Sequence, residues 1–111
     1  MPIMIGFAEH RRRLLAAEAE RYTAEAAPYG ALRIWAVGAF ARGSVGVETE
    51  LELVMIQDTD DPFQRRPDFW VSHMRPRVGT RFYVYTPDEA EEFEDACPVL
   101  IEAMTTGVQL V

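Results

Sequence analysis

Apolar and polar positions follow two different periods along the chain, and the changes of period mark its elements. Over residues 7–27 the polar Glu9, Arg12, Arg13, Glu18, Glu20, Arg21 and Glu25 separate from Phe7, Leu14, Leu15, Ala19, Tyr22 and Ala26, which fall near one broad helical face. Pro28-Tyr29-Gly30 ends that helix. Its Arg11-Arg12-Arg13 triplet spreads around the axis and is offset by neighbouring acids, so it reads as a solvated face. The period then shortens. Residues 32–38 (Leu-Arg-Ile-Trp-Ala-Val-Gly) and 51–56 (Leu-Glu-Leu-Val-Met-Ile) carry the β-branched, aromatic and alternating character of strands, as does Arg81-Phe82-Tyr83-Val84-Tyr85.

The connections differ in kind. Between the first two strands, Gly43 and Gly46 follow a short helical turn at Phe40-Ala41-Arg42. Residues 57–79 are polar and proline-punctuated, with a turn at Asp58-Thr59-Asp60-Asp61-Pro62 and a short helix expected within residues 65–74. Thr86-Pro87-Asp88-Glu89 has the makings of a capping box, opening a helix to about residue 96. Pro98 opens another through residue 104, Gly107 stops it, and residues 108–111 form an extended tail. Helix, strand, turn, strand, irregular connection, strand, helix, helix predicts an α+β fold: a small mixed sheet with helices packed on one face.

Composition narrows the function. At 111 residues, 49% hydrophobic and 26% charged, the chain suits one globular domain with a real core. Its net charge of −7 argues against duplex nucleic acid as the partner, because that binding rests on neutralising phosphates. No stretch approaches the ~20 apolar residues of a membrane span. The single Cys97 makes no intramolecular disulfide, and with only His10 and His73 it assembles no zinc site, so a cytoplasmic location is expected.

The chemistry-bearing stretch is Val37-Gly38-Ala39-Phe40-Ala41-Arg42-Gly43-Ser44, followed by Thr49-Glu50-Leu51-Glu52-Leu53. A glycine at a strand end before a tight helical turn lets backbone N–H groups approach phosphate oxygens. Carboxylates at i and i+2 of a strand share a face, with Cα atoms about 6.6 Å apart, a spacing suited to divalent metal. In this order the motifs resemble those of the minimal nucleotidyltransferases of the polymerase-beta-like superfamily: strand, G-S-x-x-R-G, a short gap, an Asp-x-Asp strand, and a third acid on a later strand. Tyr85-Thr86-Pro87-Asp88-Glu89 and the segments 100–103 and 107–110 resemble that group's closing segment.

The resemblance implies a nucleotidyltransferase fold, a magnesium-bound nucleoside triphosphate, and transfer of a nucleoside monophosphate, AMP from ATP, to a protein or small hydroxyl acceptor. Carried over by position, the resemblance implies that Gly38, Ala39, Arg42 and Gly43 bind the nucleotide and that Glu50 and Glu52 are the catalytic metal ligands. In some relatives the domain is the antitoxin of an all-helical partner, so the alternative is a catalytically lapsed binding or antitoxin-like subunit of a helical protein. An open sheet edge would also allow a homodimer.

Three departures bear on that choice. Ala39 stands where the motif has serine, removing a hydroxyl from the triphosphate. Glutamates replace both aspartates, shifting each carboxylate by roughly 1 Å, and misplacement on that scale can cost about a hundredfold in rate. The third acid should fall at Arg81 or Tyr83. An Arg81–Glu52 ion pair is therefore expected where relatives place magnesium. Elsewhere ordinary roles are expected: His73 and His10 as surface, Cys97 as an ordinary thiol, Trp35 and Trp70 as packing, and Arg65, Arg66, Arg75 and Arg77 as partners of Asp58, Asp60, Asp61 and Asp68, with contact to nucleotide phosphates the alternative for His73 and these four arginines.

Overall fold

The computed structural model describes residues 2–111. Helix α1 spans Pro2–Glu25 and leads through a single 3-10 turn, Ala27–Tyr29, into β1, Ala31–Val37. The short α2, Gly38–Arg42, separates β1 from β2, Leu51–Gln57. A second 3-10 turn, Phe63–Arg65, and α3, Arg66–Met74, precede β3, Thr80–Tyr85. Then come α4, Pro87–Phe93, α5, Pro98–Thr105, and the two-residue β4, Val108–Gln109. The strands form one mixed sheet in the order β3-β2-β1-β4, with β2 parallel to β3 and β1 antiparallel to both β2 and β4. The α+β class with a mixed sheet is as expected.

The helices cover both faces of the sheet rather than one. Ile34, Ala36, Leu53, Met55, Phe82 and Val84 project to the side where Leu15 and Tyr22 of α1, Ala26 just after it, and Trp70 and Met74 of α3 pack. The alternate residues Trp35, Val37, Val54 and Ile56 meet Ala90 of α4 and Leu100 and Ala103 of α5. The cause is the unbroken apolar run Leu53-Val54-Met55-Ile56: a strand apolar at every position must be buried on both sides.

Local signals account for the element ends. Thr86 accepts from the Glu89 N–H at 3.2 Å while the Glu89 carboxylate accepts from the Thr86 N–H at 2.9 Å, completing the capping box. On α1 the buried face is Leu15, Ala19 and Tyr22, continued by Ala26 beyond the helix end, whereas Phe7 and Leu14 are exposed. Trp70 is fully buried, and its indole N–H donates to Gln57 Oε1 at 3.0 Å. The Tyr22 hydroxyl is buried without a hydrogen-bond partner among the described residues, and an unsatisfied buried hydroxyl costs about 1–3 kcal/mol. Tyr22→Phe is accordingly expected to leave stability unchanged or raise it by about 1 kcal/mol. Urea unfolding reads this, and a loss above about 1 kcal/mol would mean that the hydroxyl has a partner.

Candidate functional site

Strand β1 ends at Val37, and the next residue turns the chain. Gly38 has φ +76°, in the left-handed region, and a Cβ on it would lie 1.9 Å from Glu52 Oε2. Glycine is needed there on both counts: the conformation disfavours a side chain, and the Glu52 carboxylate already occupies the space. Its backbone N–H is the first of α2, whose N-cap Val37 offers no side-chain acceptor to the helix start. Glu102 of α5, 64 residues further on, takes that role: its Oε2 accepts from the Gly38 N–H at 2.8 Å and meets Arg42 Nη1 at 3.3 Å. The donor expected to face a phosphate therefore faces the chain's own carboxylate.

The two glutamates belong to the sheet face that also carries Val54 and Ile56, because Glu50, Glu52, Val54 and Ile56 alternate with the buried Leu51, Leu53 and Met55. Glu52 is paired across the sheet with Val37 on one side and Arg81 on the other. Glu50 and Glu52 share a cavity of about 260 Å³ with Ala39, Glu48, Thr49 and Arg81. Gly38 adjoins it through its contact with Glu52. Arg42 is directed to Glu102, and Gly43, the left-handed C-cap of α2, does not line the cavity.

Arg81 departs from expectation in its partner. Its Nε donates to Glu50 Oε1 at 3.3 Å, while Glu52 Oε1 accepts from the Tyr83 hydroxyl at 3.4 Å. The guanidinium leans past the residue beside it to the carboxylate two positions earlier. Arg81 is 64% and Glu50 43% exposed, so water screens the pair.

A magnesium site built from these residues fits poorly. Two-metal phosphoryl transfer uses carboxylates shared between hard cations about 3.5–4 Å apart. Here Glu50 is already engaged by a guanidinium and Glu52 by a phenol. The positions where a third acid would stand hold Arg81 and Tyr83. Among the described residues no cluster of three or more His, Cys, Asp or Glu is arranged to hold a metal ion. With three glutamates against one arginine the cavity is still net negative, so a triphosphate entering without a cation meets like charge.

The sequence alone assigns no role to Glu102 or Glu48, and marks Tyr83 only as a position where a third acid would stand. Of the arginines expected to pair with nearby aspartates, Arg65 does so with Asp68 at 3.1 Å. Arg66 instead joins Glu89, and Arg75 and Arg77 form no ion pair among the described residues. His73 is exposed, and both tryptophans are buried in packing, as expected. Cys97 is half-buried against the Tyr85 hydroxyl, 3.3 Å away. Among the described residues no helix is long and apolar enough to cross a membrane. No protein-family model matches the chain, and no curated protein matches it either.

Proposed function

We propose that the chain is a nucleotidyltransferase-like domain whose catalysis has lapsed and which serves as a binding subunit, in the manner of an antitoxin, for a helical protein partner. The observation that carries this reading is the Glu102 carboxylate on the Gly38 N–H. A phosphate at that donor must first displace an internal anion that also holds Arg42. Ala39 in place of serine, Arg81 on Glu50 and the missing third acid point the same way. Partner binding draws support from an apolar hollow of about 290 Å³ between β1, α4 and α5, where Leu32 and Met104 are exposed. Exposed apolar patches of this kind suit a helix laid in a groove.

The second reading, a magnesium-dependent transferase moving AMP from ATP to a protein or small hydroxyl, is favoured by the convergence of Glu50 and Glu52 on one cavity beside Ala39. Calorimetric titration with ATP, with and without magnesium or manganese, separates the two, followed by an assay for pyrophosphate release. The lapsed domain gives no metal-dependent binding and no pyrophosphate. Glu102→Ala, which frees the Gly38 N–H and Arg42, restores measurable ATP binding but not turnover. Metal-dependent binding by the unaltered protein, abolished by Glu50→Ala or Glu52→Ala, would establish the transferase instead.

A further inference from the structure

A separate cavity gathers Arg21, Arg75 and Arg77. Arg21, Tyr29, Ser72, His73, Arg75 and Arg77 line a cavity of about 550 Å³ that shares no residue with the Glu50–Glu52 cavity. That volume lies within the range of small-ligand sites.

The arrangement is held from beneath. Glu18, only 3% exposed, accepts two bonds from Arg21, at 2.7 and 3.0 Å, and a third from the Arg77 N–H at 2.6 Å. Burial alone would raise the Glu18 pKa, but the Arg21 guanidinium and the Arg77 N–H outweigh it and hold the carboxyl below its ordinary value. This one buried carboxylate pins the turn after α3 to α1 and fixes the direction of Arg21, whose Nη2 also reaches the Arg75 carbonyl at 3.4 Å.

Above that anchor two charges are left over. The guanidinium groups of Arg75 and Arg77 form no ion pair among the described residues, although the chain is acidic overall. Arg75 is also the one residue other than glycine with positive φ among the described residues, φ 47°, at the C-cap of α3. That is a position where glycine or asparagine would be easier. A long cationic side chain is thus held at a strained position beside a second unpaired cation.

The aromatic wall is ordered as well. His73 donates Nδ1–H to the Phe69 carbonyl at 2.8 Å, stacks on the Phe69 ring at 4.1 Å and meets the Tyr29 ring at 5.3 Å. Its Nε2 has no partner among the described residues. Beyond Ser72 and His73 the adjoining hollow carries Asp61, Arg65 and Asp68, with Arg65 spent on Asp68, so the anion-attracting end is confined to the arginines.

We propose that this cavity binds the phosphoryl group of a small phosphorylated molecule, with Arg75 and Arg77 gripping its oxygens and Arg21, Ser72 and His73 completing the cradle. Arginine forks match phosphate oxygens in pairs. The net charge of −7 disfavours a long polyanion such as RNA, whereas a small anion needs only the local field.

The test uses the full chain in chelator, titrated calorimetrically with inorganic pyrophosphate and separately with AMP. It compares the unaltered protein with the double substitution Arg75→Gly and Arg77→Ala. Glycine accepts the left-handed conformation at 75, and alanine at 77 keeps the N–H that Glu18 needs, so the variant is expected to unfold at no lower temperature. Both ligands bind the unaltered protein at millimolar concentration or below, and the variant weakens both by about tenfold or more. Tighter binding of AMP than of pyrophosphate would assign the Tyr29–His73 wall to a planar base, and equal binding would assign the site to phosphate alone. Absence of binding, equal binding by the folded variant, or a short single-stranded RNA binding more tightly than AMP would overturn the proposal.

Discussion

Arg66→Ala is expected to cost about 3 kcal/mol of stability, lowering the thermal midpoint by on the order of 10 °C or more. The Arg66 side chain is 7% exposed. Its Nε donates to the Asp61 carbonyl at 2.9 Å and its Nη1 to the Val84 carbonyl at 3.0 Å. The fork closes on Glu89, at 2.5 and 3.0 Å. One guanidinium therefore ties the turn before α3, the outer strand β3 and the capping box of α4. Lysine cannot replace it, because a single ammonium cannot reach two carbonyls and both carboxylate oxygens, so Arg66→Lys is expected to recover less than half of the loss. A loss below about 1 kcal/mol in urea would show that this linkage does not bear on stability.

The same ion pair sets an acid limit. Hydrogen bonds from Arg66 hold the Glu89 carboxyl below its ordinary value of 4.5, against the opposing effect of burial. A lowered folded pKa contributes stability that is fully present above the unfolded value and fades as pH falls through the folded one. Unfolding free energy is therefore expected to decline below pH 4.5, and the Arg66→Ala variant to decline less over that interval.

Gly38→Ala is expected to cost about 2 kcal/mol, through two separable effects. The first is conformational, since alanine is strained at φ +76°. The second is steric, with the new Cβ 1.9 Å from Glu52 Oε2 and 2.8 Å from Glu52 Cδ. Gly43 supplies the control: its φ is +78°, yet a Cβ there meets nothing within 4 Å. Gly43→Ala should show only the conformational loss, and Gly38→Ala combined with Glu52→Ala should fall back toward that smaller figure. Equal losses for the two single substitutions would mean that the Glu52 carboxylate swings away freely.

What the sequence made legible was local. The capping box at Thr86, the strands over 51–56 and 81–85, and the shared face of Glu50 and Glu52 all follow from spacings of two to four residues, and each is present, the strands one residue longer as Leu51–Gln57 and Thr80–Tyr85. The second covered face of the sheet was also written locally, in the apolar run Leu53-Val54-Met55-Ile56, but assigning it needed α4 and α5 to be carried across to Trp35 and Val54. Contacts between distant segments were not legible. Arg66 reaches Glu89 across 23 residues, and Glu102 reaches Gly38 across 64, with nothing near either partner to announce it. The Arg81 exchange was read to within one pleat: the register sets it beside Glu52, but its flexible stem carries the charge on to Glu50.

Those long-range partners decide how the motif is understood. The glycine, the turn and the paired carboxylates suggest a nucleotide cleft in the sequence, while the residues that arrive from elsewhere put a carboxylate on the Gly38 N–H and a guanidinium on Glu50.

The most direct measurement is a crystal structure of the protein grown with magnesium and a non-hydrolysable ATP analogue. A closed cleft would keep Glu102 on the Gly38 N–H and Arg81 on Glu50, with no ordered triphosphate against either. A triphosphate on the Gly38 N–H, with metal between Glu50 and Glu52, would contradict it.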